Sequence, residues 1–529
     1  MYKHFSIIAC LLLFFASTAL SADWQVDLAN TFSAGFDNLP ESDVRLMMPA
    51  DDVIENIAKK ISSAEDLLSE ISKRDYQQPE SRGELQSFTM TGIDGVERPW
   101  VLYTPETYRS DRATPLIVAL HGGVSRAEVS DDPEGWAKNS GWLTLAQDNG
   151  WFAMFPFGQA GATWWDDVGM TNIRRQMQLV KHHFNIDDDR VYMAGFSDGA
   201  SSGFLHAMVK PDDYAAVIAL CGHMGVGSLS GELPTYAPNM ANTPIYVVTT
   251  SEDGLYPTEG MRPGIDMAIS AGADIFYRQL HGTHRFDFAD TELPLIAAYI
   301  ERHPRNPFPA NIYWETAKAE FGRCRWLEIN RVLPQDAAEW HIDHNQILVS
   351  KRITIGFVPD TSQEILKVEN VIEKTYADSI GLKAGDIIVE AAGKKVGSLA
   401  DFDVAKESVS RGDRFDMTVI RDDERVELKG ILPTEDLYYL FGRTVPSAAI
   451  KAVQSGNIIR LEGSRVGALT IRVFPQQLNL DKNIQIFFNG KQVFDEQVKP
   501  DVAFILREYL HNRDKTLLPV SEIKLDLNH

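Results

Sequence analysis

The stretch VYMAGFSDGASSG, residues 191–203, sets a serine between two glycines where an apolar run gives way to small residues that can continue as a helix. Val191 to Ala194 reads as a buried strand and Ala200 to Met208 as a helix, with Ser197 on the corner between them. A strand that turns at once into a helix holds its corner residue in a sparsely allowed backbone conformation. Side chains at the flanking positions would collide, which accounts for Gly195 and Gly199. The string Gly-x-Ser-x-Gly acts as a nucleophile elbow only in a strand-turn-helix context, and that context is present. Ser197 is therefore the candidate nucleophile, exposed at the edge of a sheet.

Outward from the elbow, strand-like runs recur at 84–92, 98–104, 115–121, 151–156, 190–194, 215–220, 244–250 and 274–280. The first two lie close enough to form a hairpin, and the later ones are separated by helical stretches such as Asn172 to Phe184. Alternation of this kind predicts a mostly parallel sheet with helices on both faces and an antiparallel edge. With the motifs LHGG (120–123), FNIDDDRVYMAGFSDGA (184–200) and SEDGLYP (251–257), residues 81–304 resemble the α/β-hydrolase fold. Within that fold they resemble secreted feruloyl-esterase and polyhydroxybutyrate-depolymerase-like enzymes.

The resemblance implies a chain order of serine, acid, histidine. Asp253 follows the run Thr243 to Thr250 and sits in an Asp-x-x-x-Pro loop ending at Pro257, with Glu252 as its nearest rival. The Gly-x-His pattern of the relatives falls on Gly282-Thr283-His284, leaving His281 as the alternative base. A serine hydroxyl is a weak nucleophile and needs such a base and an orienting acid. The same resemblance assigns the oxyanion hole to the backbone amides of Gly123 and Asp198. Trp164 and Trp165, after the fourth strand, are expected to wall a substrate's aryl or acyl group. His182, His183 and His206 fall in helices without matching ligands, so no metal or other cofactor is expected. The expected activity is that of an exported serine hydrolase cleaving carboxylic esters through an acyl-enzyme. A prolyl-oligopeptidase-like peptidase and a PDZ-based scaffold with an inert hydrolase domain stand as the alternatives.

Across 529 residues, 51 Lys and Arg face 74 Asp and Glu, a net charge of −23 that disfavours nucleic acid and anionic membrane surfaces as partners. Lys3, the apolar run Phe5 to Phe15 and the small residues Ala19 and Ser21 read as a signal peptide over 1–21, cleaved near Ser21 or Ala22. The expected location is the periplasm or the exterior, with no stable membrane insertion after cleavage. Beyond Cys10 only Cys221 and Cys324 remain, either as free thiols or as one bridge.

Within residues 22–80, the stretch 42–75 reads as one amphipathic helix with Ile54, Ile57, Ile61, Ala64, Leu68 and Ile71 on one face. Asp52 and Glu55 suggest its capping box, and it is expected to pack on the domain that follows it. Segments 305–349 and 434–529 share short aromatic strands and are read as one β-sandwich, with Asn489-Gly490 marking a type I′ hairpin. Between them, residues 350–433 carry GLKAGDII (381–388) and Gly393 and resemble a bacterial PDZ domain, departing from it at Tyr376 and Ile380. That resemblance implies binding of extended C-terminal peptides of exported proteins, with the carboxylate held near Gly356 and Phe357.

Overall fold

The computed structural model describes residues 23–33, 41–43, 49–126, 131–349, 353, 355–360, 365–371, 375–434, 437–442 and 445–527. The signal peptide expected over 1–21 lies outside the described residues. The chain forms two compact units, one made of residues 1–344 and 443–529 and the other of 345–442.

The first unit is built on a nine-stranded sheet with strands β1 (Glu41–Asp43), β2 (Leu85–Thr91), β3 (Glu97–Tyr103), β4 (Thr114–Leu120) and β5 (Phe152–Pro156). It continues with β6 (Ile186–Phe196), β7 (Ala216–Leu220), β8 (Ile245–Thr250) and β9 (Ile275–Leu280). The spatial order is β1-β2-β3-β5-β4-β6-β7-β8-β9. Strand β3 runs antiparallel to both neighbours and every other pairing is parallel, which is the α/β-hydrolase arrangement. Every residue of β4, TPLIVAL, is buried, as a strand covered on both faces requires. Helices Gly141–Asn149 and Ala289–Arg302 pack against one face through Leu145, Ala146, Ile296 and Ile300. The elbow helix, Asp198–Val209, is buried from Gly199 onward.

Strands from both sides of the 345–442 unit pair with one another. Asn311–Thr316 lies antiparallel to Ala448–Ser455, and Leu327–Val332 to Val466–Val473. Two sheets, of five and four strands, share one apolar core that includes Trp314, Trp326, Ile450 and Ile471. The Asn489-Gly490 turn has φ of 48° and 81°, the doubly positive pair that a type I′ hairpin needs.

The single helix expected over 42–75 is corrected to a strand at Glu41–Asp43 and two helices, Asp51–Ala58 and Ala64–Ser72. Ser63 is extended and its hydroxyl accepts from the amide of Asp66, so it caps a second helix instead of continuing the first. The expected capping box is absent, because Ala50 occupies the cap and offers no side-chain acceptor. The apolar stripe survives the break with one correction, since Ile54, Ile57, Ile61, Ala64 and Ile71 enter the sandwich core with Leu506 and Leu510 of helix Val502–Asn512, while Leu67 takes the buried place expected of Leu68, which is only partly buried against that core. The partner of this stripe is thus the distant sandwich and not the sheet that follows it in sequence.

The 345–442 unit has its own core around Ile388, Phe402, Phe415 and Val419. A four-stranded sheet (Lys394–Lys395, Ile387–Ala391, Met417–Arg421, Glu424–Leu428) supports helix Leu399–Glu407, and Ile347–Val349 pairs with Leu437–Tyr439 where the unit begins and ends.

Candidate active site

Ser197 follows β6 at the C-terminal edge of the sheet with φ 58° and ψ −119°, the strained corner conformation of an elbow. A Cβ on Gly195 would lie 2.2 Å from the carbonyl carbon of Gly199, and one on Gly199 would lie 2.2 Å from the oxygen of Leu120. Those contacts are far below van der Waals separation, so both glycines are obligatory. The Ser197 amide donates to the oxygen of Leu220 at 3.0 Å, and the Ser201 hydroxyl donates to the oxygen of Ser197 at 3.1 Å. The corner is therefore tied from both sides.

His284 lies after β9 and Asp253 after β8. His284 Nε2 is 2.9 Å from Ser197 Oγ, and His284 Nδ1 is 2.7 Å from Asp253 Oδ2. The other carboxylate oxygen of Asp253 accepts from the amides of Leu255 and Tyr256 at 2.8 and 2.7 Å, and its side chain is fully buried. A carboxylate fixed in this way accepts the Nδ1 proton, which leaves the Nε2 lone pair directed at the serine. The two rivals fall together elsewhere. His281 and Glu252 are 82% and 59% exposed and face each other at 3.9 Å.

Gly122 and Gly123 leave β4 beside the elbow, where a Cβ on Gly122 would come within 2.9 Å of the Ser197 Cβ. Gly123 has φ 70°. No hydrogen bond among the described residues occupies the amides of Gly123 and Asp198. Three contacts set this loop. The Asp198 carboxylate accepts from the amide of Val124 at 3.0 Å, and the Trp164 indole N–H donates to the oxygen of His121 at 2.8 Å. His121 Nε2 accepts from the amide of Gly158 at 3.0 Å, so its proton is on Nδ1, which donates to the oxygen of Gly122 at 2.8 Å. That bond orients the 122–123 peptide. Burial pushes His121 below the ordinary imidazole range, which keeps it in this neutral tautomer.

The aromatic wall expected of Trp164 and Trp165 is corrected. They are only 1% and 7% exposed, because Trp164 packs on His121 and beneath Gly158 while Trp165 is covered by Gly231. They shape the site from behind. Asp166, beside them, caps helix Asp167–His183. The partly buried Trp136 and Phe286 make an aromatic surface instead, and with Trp142, Phe196, His121 and Gly122 they line a cleft of about 710 Å³ that reaches the chain neighbour of Ser197. Lys138, Asn139 and Ser140 stand at its rim.

Sequence reasoning missed this cleft, the side-chain role of Asp198, and His223 and Tyr256. The Tyr256 ring lies 5.6 Å from that of His223 and 5.8 Å from that of His284. Cys221 and Cys324 are both free and buried. Among the described residues no group of His, Cys, Asp and Glu could hold a metal, and no helix is long and apolar enough to cross a membrane. In the 345–442 unit, Gly356 has φ 93° and packs on Thr375, and Phe357 opens the short strand Phe357–Pro359 with its ring edge-on to Phe402 at 5.3 Å.

Residues 352–431 match the family described as PDZ domain. Over 130 residues the chain is 32% identical to the bifunctional acetylxylan esterase/xylanase XynS20E of Neocallimastix patriciarum, covering 24% of this chain and 18% of that protein. Over 168 residues it is 24% identical to poly(3-hydroxyalkanoate) depolymerase C of Paucimonas lemoignei, covering 29% of this chain and 39% of that protein. The chain thus spans less than half the length of either relative. A crystal structure of a thermostable esterase aligns with 24% identity and a TM-score of 0.35 over 42% of this chain and 63% of that one.

Proposed function

We propose that the chain is a serine hydrolase that cleaves carboxylic esters through an acyl-enzyme intermediate. The observation that carries this reading is the Ser197–His284–Asp253 relay, with bonds of 2.9 and 2.7 Å and the lone pair of the base aimed at the hydroxyl. In the first step Ser197 Oγ attacks the ester carbonyl while His284 Nε2 takes its proton, and Asp253 stabilises the imidazolium. Negative charge then gathers on the carbonyl oxygen, where the amides of Gly123 and Asp198 can receive it. Collapse breaks the bond to the alcohol, which leaves with the proton from His284. Water, deprotonated by the same histidine, attacks the acyl-enzyme, and collapse of the second intermediate releases the acid and restores Ser197. No step draws on a cofactor.

The matches to an acetylxylan esterase and a polyhydroxyalkanoate depolymerase support an ester substrate, and a cleft of about 710 Å³ is far larger than an acetyl group needs. Labelling by a fluorophosphonate, abolished in Ser197→Ala, together with turnover of acetyl, feruloyl and 3-hydroxybutyrate esters, tests the reading. Peptide amide hydrolysis outpacing every ester would replace it with the peptidase reading. Failure to label wild-type protein would replace it with the scaffold reading.

The amino-terminal segment supports export to the periplasm or beyond. The PDZ match supports a second partner, the C-terminal peptide of another exported protein, held by strand addition with its carboxylate near Gly356 and Phe357. Binding of a peptide with a free C-terminus, lost when that terminus is amidated, is the expected result. Equal affinity for both forms would refute it.

A further inference from the structure

Strand β6 has two neighbours, and each sends a turn to the side of Ser197. After β4 come the glycine turn and the cleft. After β7 comes His223, which the acyl-transfer steps do not use. Its amide donates to Ser201 Oγ at 2.9 Å, and that hydroxyl donates to the oxygen of Ser197, so the position of His223 is tied to the elbow. Nδ1 accepts from the amide of Gly225 at 3.0 Å. An amide can only donate, so the ring proton sits on Nε2. Burial pushes this imidazole down to about 4, which keeps it neutral wherever the enzyme would work.

The ring packs on Tyr256, which in turn packs on His284, so one aromatic ring separates His223 from the base. His223 is 9% exposed, and Nε2 is not among the sealed polar atoms that lack a partner. None of the hydrogen bonds among the described residues uses it. A neutral donor of fixed tautomer, mostly removed from water, without a partner among the described residues and one ring away from the base, is an arrangement that recognises an acceptor.

We infer that His223 is a substrate-binding residue whose Nε2–H donates to an oxygen that the ester carries outside its scissile carboxyl group. The acceptor would be a neighbouring sugar hydroxyl or the next carbonyl of a polyester, and the contact favours oxygen-substituted esters over hydrocarbon ones. This rests on the ester-hydrolase reading.

The test compares the full chain with its His223→Leu and His223→Gln variants on three substrates. These are 1-naphthyl acetate, which has no oxygen outside the ester, a partly acetylated methyl xyloside, and a 3-hydroxybutyrate trimer. Loss of one neutral hydrogen bond should lower kcat/KM relative to naphthyl acetate about fivefold to tenfold in His223→Leu, chiefly through KM. The loss should fall on the xyloside if the acceptor is a sugar hydroxyl, and on the trimer if it is a polyester carbonyl. His223→Gln, which keeps an N–H donor, should recover part of it. A ratio within twofold of wild type on both oxygen-substituted esters overturns the inference. So does an equal loss on all three, which would make His223 a prop for the elbow through Ser201. Fluorophosphonate labelling shows whether each variant is folded, and wild-type protein that neither labels nor turns over would bring down the hydrolase reading and this inference with it.

Discussion

Replacing Asp198 tests the oxyanion assignment without touching a backbone amide. The carboxylate of this residue accepts from the amide of Val124 at 3.0 Å, the contact that joins the Gly122-Gly123 turn to the start of the elbow helix. Asp198→Ala deletes a charge-assisted bond of the kind that contributes roughly 1.5–3 kcal/mol, and the Gly123 amide then loses its anchor. Loss of one oxyanion donor outright costs about 10²–10³ in kcat, so a donor that is displaced but still present should cost about tenfold to a hundredfold. KM should stay within about threefold, because the interaction strengthens only as charge develops. Asp198→Asn keeps an acceptor oxygen at the same place and should remain within about threefold to fivefold of wild type. Both variants lose the favourable charge at the helix N-terminus, so a small common drop in thermal stability of about 0.3–1 kcal/mol is expected and does not separate them. Steady-state kinetics on a small acetate ester, with fluorophosphonate labelling rates alongside, supply the measurement. Equal kcat loss in the two variants, or none in Asp198→Ala, would refute the reasoning.

Ser197→Ala, His284→Ala and Asp253→Ala should each remove most turnover, and the triple variant should be little worse than the worst single one, as single-turnover rates would show. His206 is buried without a hydrogen-bond partner among the described residues, and burial takes its pKa from the ordinary 6.5 to about 4. The unfolded chain therefore binds this proton first, so stability is complete above pH ~6.5 and falls as pH drops toward ~4. His206→Phe should lose less than wild type over that interval, by on the order of 2 kcal/mol at pH 5 in denaturant titrations, and parallel curves would refute this. Leu67 is fully buried between the N-terminal helix and the sandwich core, so Leu67→Ala should destabilise the 1–344 and 443–529 unit by about 2–5 kcal/mol in thermal unfolding. An unchanged transition would mean that these helices do not share the sandwich core.

What could be read from sequence follows from how local each constraint is. Gly195, Ser197 and Gly199 are legible because the corner places its demands on five consecutive residues, even though the atom that excludes a side chain at Gly199 belongs to Leu120, and Asp253 and His284 because parallel strands deliver them at their ends. The Asp198 carboxylate was not legible, since its partner Val124 lies 74 residues away and nothing in the Ser-Asp-Gly triplet distinguishes a bonded side chain from a solvated one. Trp164 misled for a related reason. A tryptophan after a strand has the same sequence whether it presents its face to a substrate or its N–H to a carbonyl, and here the N–H finds His121. The break at Ser63 was hidden because both helices keep the same stripe, and the stripe's partner could not be guessed from adjacency because it lies beyond the whole catalytic sheet in sequence.

The seam that attaches the sandwich lies far from Ser197. Arg305 pairs with Asp189 at 2.8 Å and with Asp514 at 2.6 Å, and the Lys515 amide donates to Asp188 at 2.8 Å. Arg323 and Arg325 meet Asp212 at 3.0 and 3.4 Å, and Asn239 and Asn242 donate to the oxygens of Glu315 and Tyr313. Asp188 and Asp189 open β6, residues 211–213 precede β7, and Asn239 and Asn242 precede β8, so every one of these contacts lies at the N-terminal edge of the sheet. Ser197 lies at the other end of β6, roughly 30 Å away at ~3.3 Å per strand residue. Among the described residues, the groups around the serine come from residues 120–289, at the opposite edge of the sheet from this seam. A change in this seam should then act on stability alone. Removing Asp514 leaves Arg305 buried beside one carboxylate instead of two, a defect that costs several kcal/mol and reaches the serine only by unfolding the strand between them.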